Sequence, residues 1–307
     1  MIYLDKTVLY CYGALAQSVE HLTFNQVVGG SNPPCFTCEG AVGYSAFSVY
    51  ICQVNITSHI DWCIFMRSAQ VYALAYIFFN ITKWRNEEKM LRNVDMSEIS
   101  DGKLYDAGDM VKVGCQDCEG CSACCCGMGD TVILDPRDVF ELSRNLGKRF
   151  EELLEESLEL HVQDGVILPN LKMQGERECC TYLDEKGRCS IHAFRPGICR
   201  LFPLGRIYED GGFRYFLQTG ECRKESRTKL KIKKWIGIPD FSRYEKFVAD
   251  WHFFVRELQE KLMEKKDMEA AQKINLYVLE QFFFKGWEAE DFYGQFEKRL
   301  EEAKKLI

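Results

Sequence analysis

The clearest periodicity lies in the last quarter of the chain. Phe247, Trp251, Phe254, Val255 and Leu258 recur three and four residues apart, the spacing that lines one face of a helix. Ile274, Val278, Leu279 and Phe282 form a second stripe, and Glu288 to Leu306 reads as a third, more charged helix. Such aromatic stripes pack far more often than they touch cofactors, and core is their expected role.

Upstream the pattern shortens. Thr131 to Leu134 reads as a strand. Asp135-Pro136 opens a helix, with Asp as N-cap, Pro at the first position and Gly147 near the stop. Phe150, Leu153, Leu154 and Leu158 predict a second helix to about Leu160. Three turns ending in glycine then separate apolar pairs: Asp164-Gly165, Lys186-Gly187 and Asp210-Gly211-Gly212. Each predicts a β-hairpin, because glycine tolerates the positive φ that tight hairpin turns require. Met90 to Met110 reads as a polar, loose leader. The expected class is α+β: a small cysteine-rich metal-binding domain with short β-hairpins and a helical C-terminal region.

Residues 1–89 do not share this organisation. They carry 5 of the 39 Lys and Arg and 6 of the 46 acidic residues, with no sustained hydrophobic period. The apolar run Val71 to Phe79 is far short of the roughly 20 residues a membrane helix needs. Ala16 to Pro34, AQSVEHLTFNQVVGGSNPP, resembles a transfer-RNA gene read as coding sequence. Its codons can be written so that D-arm, anticodon and T-arm stems each self-pair, in the right order. The expectation is a spurious or disordered extension, with the functional protein starting at Met90 or Met96. Cys11, Cys35, Cys38, Cys52 and Cys63 then hold no metal. The expected organisation is 1–89 as this extension, 90–235 as a cysteine-cluster domain, and 236–307 as a helical region packing on it.

Charge narrows the chemistry. A net charge of -7 argues against a nucleic-acid groove, which needs clustered cations to neutralise phosphate. Sixteen cysteines leave two readings, a disulfide framework or a metal site. The first residues show no basic stretch followed by an apolar one, so export is not indicated. The expectation is therefore a cytoplasmic protein with metal-bound thiolates, no nucleic acid and no membrane partner, and a protein partner only through the C-terminal helices.

The cysteines themselves are informative. Cys115, Cys118, Cys121 and Cys124 fall every third residue, and Cys125 and Cys126 follow at once. A C-x2-C places two thiolates on one tight turn, which is why it recurs in zinc and iron–sulfur sites. Cys179, Cys180, Cys189, Cys199 and Cys222 come later. A single cysteine among them would more often be a small core residue. Glycine loops and hairpin ends are poor places for core packing, so the set favours coordination. Cys180 and Cys189 flank one hairpin, which can bring them together.

These residues resemble the YkgJ-like cysteine-cluster family, described as zinc- or iron-chelating. The resemblance rests on C-x2-C-x2-C-C at Cys118, Cys121, Cys124 and Cys125, on CTYLDEKGRCSIH from Cys180 to His192, on RPGICRLFP from Arg195 to Pro203, and on Cys222. It implies Cys118, Cys121, Cys124, Cys125, Cys180, Cys189, Cys199 and Cys222 as the ligand set, holding zinc or iron, with an iron–sulfur cluster as the rival. Cys115, Cys126 and Cys179 depart from that pattern and read as spare thiols or substitute ligands. Arg195 and Arg200 bracket Cys199. A four-thiolate site around a divalent ion carries about -2, which guanidinium groups would offset. His192 is a weaker ligand candidate.

Eight thiolates suit two four-coordinate sites. A related cysteine pattern in flagellin lysine methylases implies the alternative, a redox or methylase-like enzyme. Residues 90–307 contain no HExxH, G-x-S-x-G, P-loop or GxGxxG, which favours a metal-binding module.

Overall fold

A computed structural model describes residues 96–305 apart from 116, 117, 119, 120, 225 and 266. The expectations for residues 1–89 lie outside them. The described chain is α+β, with four two-stranded antiparallel ribbons and a helical C-terminal part.

The polar leader is more ordered than its composition predicts. A short helix α1 (Met96–Ile99) precedes antiparallel bridges from Ser100 to Gln218 and from Tyr105 to Tyr215. The amide of Tyr105 donates to the Tyr215 carbonyl at 2.8 Å, and the return bond is 2.9 Å. Strand β1 (Met110–Gly114) buries Val111, Val113 and Gly114 and leaves Met110 and Lys112 exposed. Its partner strand lies more than a hundred residues away, and the short Val111-Lys112-Val113 alternation is its one local mark.

Helix α2 (Pro136–Leu146) begins and ends where the sequence predicts. The Asp135 side chain accepts from the Asp138 amide at 2.8 Å, and Asp138 returns the bond to the Asp135 amide at 3.3 Å. Gly147 closes the helix in the left-handed region at φ 66°. Helix α3 (Phe150–Glu156) stops earlier than expected. Leu158, which continues the helical stripe, instead opens strand β2 (Leu158–Gln163).

Strand β2 pairs with β3 (Val166–Leu171) through the predicted Asp164-Gly165 turn, both residues at positive φ. Every residue of β3 is buried. Its outer edge needs a partner in the protein, since water cannot reach it. Asn275 supplies one: its Oδ1 accepts from the Ile167 amide at 2.6 Å, and its Nδ2 donates to the Gly165 carbonyl at 2.9 Å.

Strands β4 (Met173–Gln174) and β5 (Cys179–Cys180) form a minimal ribbon. The predicted Lys186-Gly187 hairpin is mostly turn, with one bridge from Leu183 to Cys189. Helix α4 (Gly197–Leu201) carries Cys199. Strands β6 (Leu204–Glu209) and β7 (Gly212–Leu217) form the third predicted hairpin. Strand β8 (Thr228–Lys231) pairs with β1 and runs directly into α5 (Ile232–Ile236). Thr131 to Leu134 is not an independent strand. It lies against β3 through an Ile133–Asn170 bridge.

Helices α6 (Phe241–Lys265), α7 (Met268–Leu279) and α8 (Phe292–Lys304) carry the predicted stripes, with a π-helical turn (Glu280–Phe284) after α7. Trp251 meets Phe282 at 5.1 Å between centroids, and Phe247 meets Phe296 edge-on at 4.6 Å. One hydrophobic core runs from Val111 to Ala303, so the helices and hairpins share it. Arg299 closes the π turn by donating to the carbonyls of Gln281, Lys285 and Gly286, with its guanidinium over Trp287. Carbonyls at a helix end have no partner within the helix, and a cation there satisfies them.

Candidate metal centre

A buried polar knot sets the position of Cys199. Asp138, already engaged in the α2 cap, also accepts from the Gly197 amide at 2.7 Å. A β-carbon at Gly197 would come within 2.5 Å of the Tyr244 hydroxyl, so only glycine lets α4 approach α6 this closely. Tyr244 in turn accepts from Arg206 at 3.0 Å. Burial and the neighbouring Asp135 carboxylate push the Asp138 carboxyl up to about 8. Sequence reasoning did not single out Asp138. Its second contact is to a residue 59 positions away.

The cysteine loop is built of tight turns. The amide of Cys121 donates to the Cys118 carbonyl at 3.0 Å, and that of Cys125 to the Ser122 carbonyl at 2.9 Å. Cys118 takes a positive φ of 58°. Cys124 and Cys125 belong to a short 3-10 turn (Ala123–Cys125). Nine cysteines are free thiols among the described residues.

Five of the nine line one partly open cavity: Cys115, Cys118, Cys121, Cys124 and Cys222. Phe202, Pro203 and Trp235 also line it, together with the charged residues Glu221, Arg223 and Lys224. Cys180, Cys189 and Cys199 stand together against the core. Cys199 is pushed up chiefly by burial and further by Asp138, Cys180, Cys189 and Cys124. Cys189 is raised by burial, with Cys124 adding to it. Cys124 therefore faces both groups. Its thiol is raised first by a hydrogen bond with Cys125, then by burial. Burial, with Cys115 as hydrogen-bond partner, pushes Cys118 up to about 12.

The arginines differ. Arg195 acts on Cys118, Cys124 and Cys189, drawing each towards its thiolate. One of its terminal nitrogens meets His192 Nε2, while its Nε is buried without a hydrogen-bond partner. Arg200 donates to the backbone carbonyls of Ala193, Arg195 and Ile236, pinning the loop before α4 to α5. His192 lies in a short 3-10 turn (His192–Phe194) rather than at a strand end.

Two of the three departing cysteines are bonded to each other. Cys126 and Cys179 form a disulfide across an antiparallel bridge, with α-carbons 3.9 Å apart. In this form neither can stand in as a metal ligand, contrary to what their positions beside Cys125 and Cys180 suggested. The third, Cys115, is buried with its sulfur 3.4 Å from that of Cys118.

Residues 117–231 match the model of the family described as "CxxCxxCC: Putative zinc- or iron-chelating domain". Over that stretch the chain is similar to this family. The match spans the cysteine loop, all three later hairpins and β8, and begins two residues after Cys115. No curated protein and no solved structure matches the chain. No helix among the described residues is long and apolar enough to cross a membrane.

The cysteine side chains of residues 117–231 suit zinc or iron in donor chemistry, since both ions accept four thiolates. Among the described residues no three Cys, His, Asp or Glu side chains already close on a point as a finished site would. Five of the sulfur-bearing side chains line one cavity.

Proposed function

We propose that this chain is a metal-binding protein that holds zinc or iron through Cys118, Cys121, Cys124, Cys125, Cys180, Cys189, Cys199 and Cys222. The observation that carries this reading is the assembly of free thiols. Cysteines from the 115–125 loop and from around residues 180, 189, 199 and 222 are distant in sequence, yet they line one cavity or act on one another's charge. Hydrophobic packing does not require this, because most of these sulfurs are only partly buried.

Residues 90–235 supply the ligands in this reading, and the helices of 236–307 complete the core behind them. Arg195 supports it from within. A buried guanidinium nitrogen with no acceptor is costly, and a thiolate sulfur would satisfy it while gaining from the charge. Arg200 acts at one remove, holding the loop that presents Arg195 and Cys199. The bound ion adds a cross-link among segments that short ribbons, the Cys126–Cys179 bond and the shared core already bring together.

Metal content and an absorbance spectrum test the reading, on the chain from Met90 purified without oxygen. Roughly two zinc ions per chain and no colour fit a structural or zinc-handling protein. Brown protein with iron and acid-labile sulfide makes it an iron–sulfur protein. Protein with neither metal, even after anaerobic reconstitution, overturns the proposal.

A further inference from the structure

Cys115 has no place in the CxxCxxCC pattern and lies outside the segment that matches the family. It is 4 % exposed, which for a lone cysteine would mean core packing. Yet it is absent from the hydrophobic core that takes in Val111 and Val113 just before it. Its close neighbour is another sulfur, that of Cys118 at 3.4 Å. Two sulfurs bound to one tetrahedral zinc, each about 2.3 Å from the ion, stand about 3.8 Å apart. The pair is therefore close to the spacing of two ligands on one ion.

The β1–β8 ribbon explains why Cys222 arrives at the same place. Gly114 at the end of β1 is paired with Thr228 at the start of β8. In an antiparallel pair those ends lie side by side, so the chain leaving at Cys115 and the chain entering from Cys222 start from one end of the ribbon. Cys121, one tight turn beyond Cys118, joins them around the cavity.

Resting on the metal-binding reading above, we propose that Cys115, Cys118, Cys121 and Cys222 form a tetrathiolate site of their own for a thiophilic divalent ion, with Cys115 as a ligand that the family pattern does not contain. Cys124, Cys125, Cys180, Cys189 and Cys199 are left to supply the second site. Cys180, Cys189 and Cys199 belong to or pack against the hydrophobic core, whereas the four proposed ligands line the cavity. The two sites thus have different surroundings, one held in the core and one carried at the end of a ribbon.

Cadmium-113 substituted into the full chain without oxygen separates the outcomes. Cadmium replaces zinc at thiolate sites, and proton–cadmium correlation identifies each bound cysteine through its β-protons. The expected result is one cadmium signal correlated with Cys115, Cys118, Cys121 and Cys222, and a second signal correlated with later cysteines. Cys115→Ser should shift or abolish the first signal and leave the second in place. A wild-type spectrum in which the Cys115 β-protons couple to no cadmium, or to the cadmium held by Cys180 and Cys199, overturns the inference while the metal-binding reading stands. Wild-type protein that takes up no cadmium, zinc or iron overturns both. The wild-type correlation decides the matter even if the variant fails to fold.

Discussion

Cys126 and Cys179 are covalently joined across a bridge that also brings the Gly127 amide to the Glu178 carbonyl at 2.9 Å. The bond ties the end of the cysteine loop to the ribbon that carries Cys180. It lies beside the candidate ligands without consuming any of the eight that the family pattern implies. An adjacent pair of cysteines can thus divide its labour, one sulfur for a cross-link and its neighbour for metal.

Replacing both Cys126 and Cys179 with serine should therefore leave metal content unchanged and lower stability. The cross-link spans 53 residues, and closing a loop of that length restricts the unfolded chain by about 2–4 kcal/mol. Urea unfolding of the metal-loaded protein, with and without reductant, checks this. Wild type should shift on reduction and the double variant should not. Loss of metal in the double variant would place these two sulfurs among the ligands.

Asn275→Ala should be among the more damaging single changes in the helical part. It leaves the Ile167 amide and the Gly165 carbonyl buried without partners, at about 1–3 kcal/mol for each. A lower urea midpoint with an unchanged slope is the expected signature. Asn275→Asp should rescue only in part, since it keeps the acceptor and loses the donor.

His252 makes stability depend on mild acid. Burial, with Arg256 and Arg206 nearby, lowers its value from 6.5 to about 4 in the folded protein. Between those values the unfolded chain binds the proton and the folded chain does not. Stability is therefore fully present above about 6.5 and falls as pH drops towards 4. His252→Phe keeps the ring stacked on Tyr208, where the centroids are 3.5 Å apart, and should flatten this slope. Thermal midpoints measured from pH 4 to 7 test it. An equal slope in both proteins would assign the effect to other groups.

Metal removal should loosen the hairpin part more than the helices. The ligand segments are joined by two-stranded ribbons and single bridges, whereas α6, α7 and α8 share a dense aromatic core. Chelation under reducing conditions should lower the melting temperature. Amide exchange should rise most in the 115–125 loop and around Cys180 to Cys199, with little change at Phe254 and Phe282. Uniform protection with and without metal would mean the ion contributes little to the fold.

Much of the architecture follows from local sequence. The Asp135-Pro136 start and Gly147 stop of α2, the Asp164-Gly165 and Asp210-Gly211 turns, and the stripes of α6 and α7 each depend on neighbours within a few residues. The candidate donors were legible for the same reason, because C-x2-C-x2-C-C is a spacing within one loop. Where a local pattern ran past its element, as in the extension of α3 to Leu160, the pairing of Leu158 with Leu171 took precedence.

What tertiary structure alone decided is which distant groups meet. Nothing near Met110 says that β8 is its partner. Nothing in the run of cysteines says that Cys126 pairs with Cys179 while Cys125 and Cys180 stay free. Nothing in the first turn of α2 says that Asp138 meets Gly197. Spacing along a chain sets the chemistry available and the local turn, whereas contact between segments is set by burying a common core. The sorting of sulfurs into cross-link and candidate ligand belongs to that second level.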